Sequence, residues 1–295
     1  MSLALVATLV AEAGKEIPDS FLQSVVGQLH LAEAKDVRTV WFTDHQAADI
    51  FFKVKHDRPK AGQLVADQPF DCIIQVADHR QKKLLVADME STIIEQEMLD
   101  ELAGAIGLRD KVAAITARAM NGELDFIAAI KERVALLQGL PVKVLDDAAK
   151  KITLMPGAVE LLKGMKARGA VAWLVSGGFT YFAEPIAKQL GFDRVFANEL
   201  IIRDGILTGE VAEPILDKTS KKSLLDKACA ENKLSLQQTV TVGDGANDVP
   251  MLSASNDAGG LGVAFRAKPN VRAVVPHQVN FGDLRVMLYA QGLKA

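Results

Sequence analysis

Short apolar runs that stop abruptly at acids, hydroxyls or glycines punctuate this chain from Leu84 onward. Leu84 to Ala87 ends in Asp88-Met89-Glu90-Ser91-Thr92, Val171 to Val175 in Ser176-Gly177-Gly178, and Thr239 to Val242 in Gly243-Asp244-Gly245. Runs this short, and apolar throughout, are the pattern of strands covered on both faces. Between them the period changes to that of helices. Ala158, Leu161, Leu162 and Met165 form one stripe, which predicts a helix started by Met155-Pro156-Gly157, with proline in its first turn, and ended by Gly169. A further helix is predicted around Ser223 to Glu231. Strands alternating with helices predict an α/β fold with a parallel sheet.

Two stretches break the alternation. Met98 to Lys151 is rich in Ala, Leu, Lys and Glu and reads as helices throughout; in its best helix Phe126, Ile130, Val134 and Leu137 share one face, and Gly139-Leu140-Pro141 closes it. An all-helical insert after a catalytic strand is suited to be a lid. Residues 1–80 mix strands (Leu3 to Val10, Val37 to Phe42, Asp71 to Val76) with a helix at Phe21 to Leu31 and a loop at His56-Asp57-Arg58-Pro59-Lys60. They read as a small α+β N-terminal domain with nothing catalytic in it. The expected division is 1–80, then 81–295 with 98–151 inserted as a cap.

Composition narrows the function classes. The 295 residues are 49% hydrophobic and 24% charged, as in a soluble globular protein. A net charge of −3 gives no reason to expect a nucleic-acid or anionic-membrane partner. No apolar run approaches the ~18–20 residues of a membrane helix. Met1 to Ala13 looks like the apolar part of a signal peptide, but no Lys or Arg precedes Lys15, and a buried strand explains it. Cys72 and Cys229 suggest no disulfide framework, and the five histidines form no zinc pattern. The expected compartment is the cytoplasm.

The strand ends carry the chemistry. At the carboxyl end of a strand in an open α/β sheet, side chains face the ligand crevice. An Asp there, with a reference pKa of about 3.9, is ionised at neutral pH, so Asp88 can attack phosphorus without a base to activate it. Glu90, two residues on, points the same way in an extended chain and is placed to handle a proton. Asp88, Glu90, Asp244 and Asp248 would repel one another unless a cation sat among them; oxygen-only ligands with phosphate as co-ligand point to Mg²⁺. The amides around Ser176 and Gly177, in a Gly-Gly turn leading into a helix, suit phosphate oxygens, and Lys221 would add a point charge. Asn247 stands among the acids of the last motif. Singly, each element is a common turn or a solvated helix start. In this order they point to phosphoryl transfer.

The order Asp88-Met89-Glu90-Ser91-Thr92, Ser176-Gly177-Gly178-Phe179, Lys221, Gly243-Asp244-Gly245-Ala246-Asn247-Asp248 resembles the haloacid dehalogenase superfamily of phosphohydrolases, and within it the phosphoserine phosphatases, from about Lys82 to Pro269. The resemblance implies a Rossmann-like parallel core with an inserted helical cap. It implies that Asp88 forms an aspartyl-phosphate, while Glu90 protonates the leaving oxygen and then activates water. Mg²⁺ would be held by Asp88, the Glu90 carbonyl and Asp244, with Asp248 adjacent. Ser176, Gly177 and Lys221 would bind phosphate, and Asn247 phosphate or substrate. Glu97 would pair with the substrate ammonium and Arg133 with its carboxylate. The substrate implied is O-phospho-L-serine, hydrolysed in the last step of serine synthesis by a monomer or homodimer.

Arg133 on the otherwise apolar face of its helix either meets an anion or snorkels at the helix edge, and Glu97 could equally be a first-turn helix acid. The family usually has Asp where this chain has Glu90. Two alternatives stay open: a phosphatase or phosphotransferase for another phosphorylated amino acid or alcohol, and a serine-sensing module whose turnover Glu90 has spoiled. The first 80 residues weakly resemble a small regulatory ligand-binding domain, for which no ligand is assigned.

Overall fold

The structure is a computed structural model that describes residues 3–43, 45–55, 59–66, 68–120, 123–217 and 219–295; the loop read at His56 to Arg58 lies outside the described residues. Two sheets organise it. The first is antiparallel, with strands β1 (Leu3–Ala11), β2 (Lys35–Thr43), β3 (Ala47–Val54) and β4 (Phe70–Val76) in the order β2-β3-β1-β4. Helices α1 (Asp19–Leu31) and α2 (Ala61–Leu64) accompany it. β1 is the run that looked like a leader; it is buried because it pairs with β3 on one side and β4 on the other. The sequence reading did not include β3.

The second sheet is parallel. It joins β5 (Leu84–Ala87), β6 (Val171–Phe179), β7 (Arg194–Asn198), β10 (Thr239–Gly243), β11 (Leu261–Phe265) and β12 (His277–Val279) in the order β12-β11-β10-β5-β6-β7. A hairpin, β8 (Leu200–Arg203) with β9 (Ile206–Val211), stands outside it. Alternate residues of β5 feed two cores. Leu85 and Ala87 pack with α7 (Ala158–Lys166), α8 (Thr180–Leu190) and α12 (Val286–Ala290), while Leu84 and Val86 pack with α9 (Ser220–Asn232) and α10 (Val249–Asp257). Covering on both faces is why these strands are unbroken apolar runs.

From β5 the chain moves outward to β6 and β7, then returns to the other side of β5 as β10. The sheet therefore reverses direction between β5 and β10, and the crevice at such a reversal is where open α/β sheets bind ligands. Over it lie α3 (Met98–Ala105), α4 (Arg109–Met120), α5 (Phe126–Ala135) and α6 (Lys143–Ala149), the helices expected between 98 and 151. Ile130, Val134 and Leu137 are buried as expected, but Phe126 is only half-buried and leans towards the sheet. The hairpin is laced to this cap by Gly139 N to Leu207 O (2.9 Å) and Leu207 N to Leu140 O (2.8 Å).

Some boundaries differ from expectation. The first helix after the cap begins at Ala158, not at Pro156, because Gly157 precedes it with φ +82°, a conformation outside the helix. β6 runs through Ser176-Gly177-Gly178 to Phe179 rather than ending in a free turn, although its register with β7 is broken between Val175 and Phe179. Among the described residues no helix is long and apolar enough to cross a membrane.

Candidate active site

The carboxyl ends of β5 and β10 set the two sides of the crevice. The Asp88 amide donates to the Val242 carbonyl (3.0 Å), which extends the strand pairing and fixes the first residue beyond β5. Carboxylate oxygens of Asp88, Asp244 and Asp248 all lie within 4.8 Å of one another, and all three residues are buried. The Asp248 carboxylate also accepts the Gly245 amide (2.9 Å), closing the loop after β10.

Into this cluster comes Lys221. Its ammonium donates to Asp88 (2.6 Å) and to Asp248 (2.5 Å) from the first turn of α9. The helix starts at Ser220, before the predicted Ser223, which turns Lys221 inward, while Lys222 turns outward to pair with Asp226. Burial pushes the Asp88 carboxyl well above its ordinary range, and Asp248 adds to the effect against the pull of Lys221. Burial also raises Asp244. For Lys221 burial acts downward, but the two aspartates outweigh it and hold the amine charged. Three buried carboxylates against the Lys221 ammonium and, more distantly at Asp244, that of Lys268 leave carboxylate in excess. An all-oxygen set of this kind fits a hard divalent cation.

Glu90 stands apart from the cluster; its carboxylate is not one of the converging three. Its Oε1 accepts the Met98 amide (3.0 Å) at the start of α3, so it links crevice and cap. Withdrawal from water, with Glu97 second, pushes Glu90 up to about 8. Its longer side chain has room because residue 178 is glycine: a Cβ there would lie 2.8 Å from Oε1 and 2.9 Å from Oε2 of Glu90.

Between cap and sheet lies a cavity of about 380 Å³ lined by Glu90, Glu97, Asp100, Arg133, Gly178 and Lys268, among others. Arg133 is half-buried; its Nε donates to the Ala129 carbonyl (3.2 Å), and among the described residues its guanidinium makes no ion pair. Burial lowers its pKa while Asp100, Glu90 and Glu97 act to raise it. Glu97 is exposed and accepts the Ser91 hydroxyl (2.8 Å). Ser176 is buried and accepts the Gly178 amide (2.9 Å). Phe126 of the cap and Asn247 both reach Gly177: where its Cβ would be, the ring tip is 3.6 Å away and the Asn247 amide nitrogen 4.0 Å. The residues read from the sequence thus fall in two neighbouring groups: the cluster of Asp88, Lys221, Asp244 and Asp248, and a cavity lined by Glu90, Glu97, Arg133 and Gly177, with Ser176 and Asn247 next to its Gly177-Gly178 wall.

Three residues beside the site were not read from the sequence, Asp100, Asn198 and Lys268, and Ser91 was read only as part of the Asp88 motif. Lys268 follows β11 and holds Asp244 with its ammonium (3.6 Å) and the Asp244 carbonyl with its amide (3.1 Å). Asp100 lies three residues after Glu97, a helical spacing that was available as a signal. Asn198 and Lys268 gave no such signal, because only the sheet order brings strand ends 7 and 11 to the crevice.

The haloacid dehalogenase-like hydrolase family matches residues 85–253, a span that holds the Asp88 strand, the cap and the Asp244 loop. The chain belongs to this family. A phosphoserine phosphatase of Lactococcus lactis is 45% identical over 207 residues, covering 70% of this chain and 94% of that one. The structure of a haloacid dehalogenase family hydrolase from Salmonella enterica serovar Typhi matches with a TM-score of 0.83 at 27% identity, over 97% of this hydrolase and 98% of that chain. The match therefore includes the antiparallel sheet. A phosphoserine phosphatase solved as a phospho-aspartyl intermediate analogue matches with a TM-score of 0.64 at 40% identity, over 71% of this chain and 98% of its own.

Proposed function

We propose that this hydrolase is an Mg²⁺-dependent phosphatase that converts O-phospho-L-serine to L-serine and phosphate through an aspartyl-phosphate, as the last step of serine synthesis. One observation carries the reading. A buried Asp88–Lys221 pair in a three-aspartate cluster adjoins, through Lys268 at Asp244, a cavity that offers both an acid, Glu90, and a guanidinium, Arg133, without an ion pair among the described residues. That cavity matches a small zwitterion with a phosphate at one end. The similarity to named phosphoserine phosphatases supports the same substrate.

In the first step an Asp88 oxygen bonds to phosphorus and the bond from phosphorus to the serine oxygen breaks. Glu90, still protonated at neutral pH with its pKa near 8, gives its proton to that oxygen. In the second step water attacks phosphorus, Glu90 takes the proton, and Asp88 is released. Lys221, Ser176 and Gly177 hold the phosphoryl oxygens, with Asn247 beside them. Glu97 faces the substrate ammonium and Arg133 its carboxylate. Asp88, Asp244 and the Glu90 carbonyl would hold Mg²⁺, with Asp248 adjacent; the ion would neutralise the clustered charge and let one anion approach another. The room left by Gly178 supports turnover with Glu at position 90 and argues against a spent enzyme kept as a sensor.

We place the reaction in the cytoplasm, with residues 1–80 as a separate N-terminal domain and 98–151 as the cap. The two buried, free cysteines fit a reducing compartment. The test is phosphate release from O-phospho-L-serine with and without Mg²⁺, beside phosphothreonine and p-nitrophenyl phosphate. Phosphoserine should be much the best substrate. A preference for another ester would overturn the substrate assignment.

A further inference from the structure

Asn198 ends β7 and is 2% exposed. Its side-chain nitrogen donates to the Gly177 carbonyl (2.8 Å), and its side-chain oxygen accepts the Leu216 amide (2.8 Å). We propose that Asn198 is a positioning residue for the phosphoryl group, clamping the peptide beside the Gly177 amide and tying it to the segment that delivers Lys221.

The Gly177 carbonyl and the Gly178 amide belong to one planar peptide unit. Asn198 holds the carbonyl end, and the Ser176 hydroxyl accepts the amide end at 2.9 Å. No regular strand pairing fixes this stretch, because the β6–β7 register is broken between Val175 and Phe179. Two successive glycines there would leave the backbone free to rotate. The two side-chain bonds remove that freedom, and neither uses the Gly177 amide, which stays available to an anion.

The other half of the asparagine reaches the start of α9. Leu216 precedes Asp217, whose carboxylate accepts the Thr219 and Ser220 amides (2.9 and 3.0 Å), immediately before Lys221. A single buried amide therefore sets the backbone on the Gly177 side and anchors the lead into the Lys221 helix. Only a group with both a donor and an acceptor does this; leucine offers neither and aspartate no donor.

The inference rests on the reading that Gly177 and Lys221 hold phosphate, and its test does not depend on which ester is the substrate. Binding of inorganic phosphate and of L-serine to the Mg²⁺-loaded protein would be measured by calorimetry for the parent, Asn198→Leu and Asn198→Asp. Phosphate should weaken about tenfold or more in both variants, the scale of effect that small misplacements produce. L-Serine should stay within about twofold, since Glu97 and Arg133 are untouched. The Gly178 amide should exchange faster in both ligand-free variants. Asn198→Asp keeps the Leu216 contact and decides the matter if Asn198→Leu does not fold; its loss should persist at high salt, where an effect of added charge alone would fade. Parent-like phosphate binding, or equal losses for phosphate and serine, would overturn the proposal. A parent that binds phosphate but not L-serine would instead refute the substrate reading, and the phosphate measurements would still decide the role of Asn198.

Discussion

Two regions of this molecule bury a lysine and an aspartate, and they treat them in opposite ways. At the junction of the two sheets, the Lys82 ammonium donates to the carbonyls of His79 (3.3 Å), Gln237 (2.9 Å) and Gly259 (3.0 Å). Asp71 there accepts the amides of Asn280, Phe281 and Gly282. In the crevice, Lys221 meets the carboxylates of Asp88 and Asp248, with Asp244 close by. Main-chain dipoles at the junction satisfy each charge with groups that cannot ionise or leave. The crevice pairs charges with other charges and is left with an excess of carboxylate. Burial pushes Lys82 down to about 8, whereas the aspartates hold Lys221 up. The lesson is that burial alone does not mark a site. A charge whose hydrogen bonds are filled by backbone is a fastener, and an unbalanced cluster of like charges is built to receive something.

The largest expected effect sharpens that contrast at the two aspartates. Asp88→Asn should fold normally, with unchanged or higher thermal stability because one carboxylate disfavoured by burial is gone, and should lose essentially all phosphate release. Chelating the metal should do the same reversibly. Asp71→Asn should do the reverse and keep turnover. Its amide NH₂ would face backbone donors, costing about 1–3 kcal/mol in urea unfolding. Parent-like turnover in Asp88→Asn would remove the aspartyl-phosphate route.

Next comes Glu90, the residue that spans crevice and cap. Glu90→Gln should nearly abolish turnover while leaving phosphoserine binding in place, and Glu90→Asp should stay within about 10²-fold of the parent. Gly178→Ala should cost turnover by crowding the Glu90 carboxylate, and Glu90→Asp in the same protein should restore part of it, a coupling that independent sites would not show. As the acid, Glu90 must be protonated, so leaving-group protonation should fall as pH rises through about 8. Stability follows the same group. With its folded pKa raised above the ordinary 4.5, the folded state holds more protons than the unfolded between about 4.5 and 8. Stability should therefore decline as pH rises through that window, and Glu90→Gln should remove that part of the decline. A pH profile unchanged by Glu90→Gln would assign the proton to another group.

The sequence made the crevice more legible than the fold around it. Asp88 and Asp244 follow strands covered on both faces and Ser176 follows the apolar run of β6, and a run of that kind stops visibly. β3 was missed because Ala47–Val54 lies in a region of mixed pattern, and the β8–β9 hairpin because its strands are short, even though Asp204-Gly205 between them is a turn signal. Both turn residues have positive φ, as that signal requires. Glu90 was legible as a departure from its family, but the space that accommodates it was not. That space comes from Gly178, which is 88 positions away in sequence and reaches Glu90 only through the pairing of β5 with β6. Asn198 was hidden for the same reason.

A smaller effect separates the two ends of the cavity. Arg133→Ala should cost phosphoserine turnover about 2–5 kcal/mol, the range for a broken charge-assisted pair. It should spare p-nitrophenyl phosphate, which has no carboxylate to meet it. Lys221→Ala should depress both substrates together, because the phosphoryl group is common to them. Equal losses on both substrates for Arg133→Ala would make the residue a prop for α5, in keeping with its bond to the Ala129 carbonyl.

The smallest expected effect on catalysis lies at the junction, and it tests the comparison from the other side. Lys82→Met keeps the length and apolar stem of the side chain but removes the ammonium that three carbonyls share. Two consequences oppose each other. Losing a buried charge is favourable, as the lowered pKa of Lys82 indicates, whereas leaving carbonyls without a donor is not. The second should prevail by about 1–3 kcal/mol, since orphaned buried acceptors cost more than a formed hydrogen bond gains. Between about 8 and the ordinary 10.5 the unfolded parent keeps a proton that the folded parent has lost. Parent stability should accordingly gain from this group as pH rises across that window, and Lys82→Met should lack the gain. Turnover on phosphoserine should stay within about twofold, since no charge in the crevice has changed. A Lys82→Met protein of full stability and sharply reduced turnover would show that the junction is coupled to the chemistry, and that a lysine satisfied by backbone can be more than a fastener.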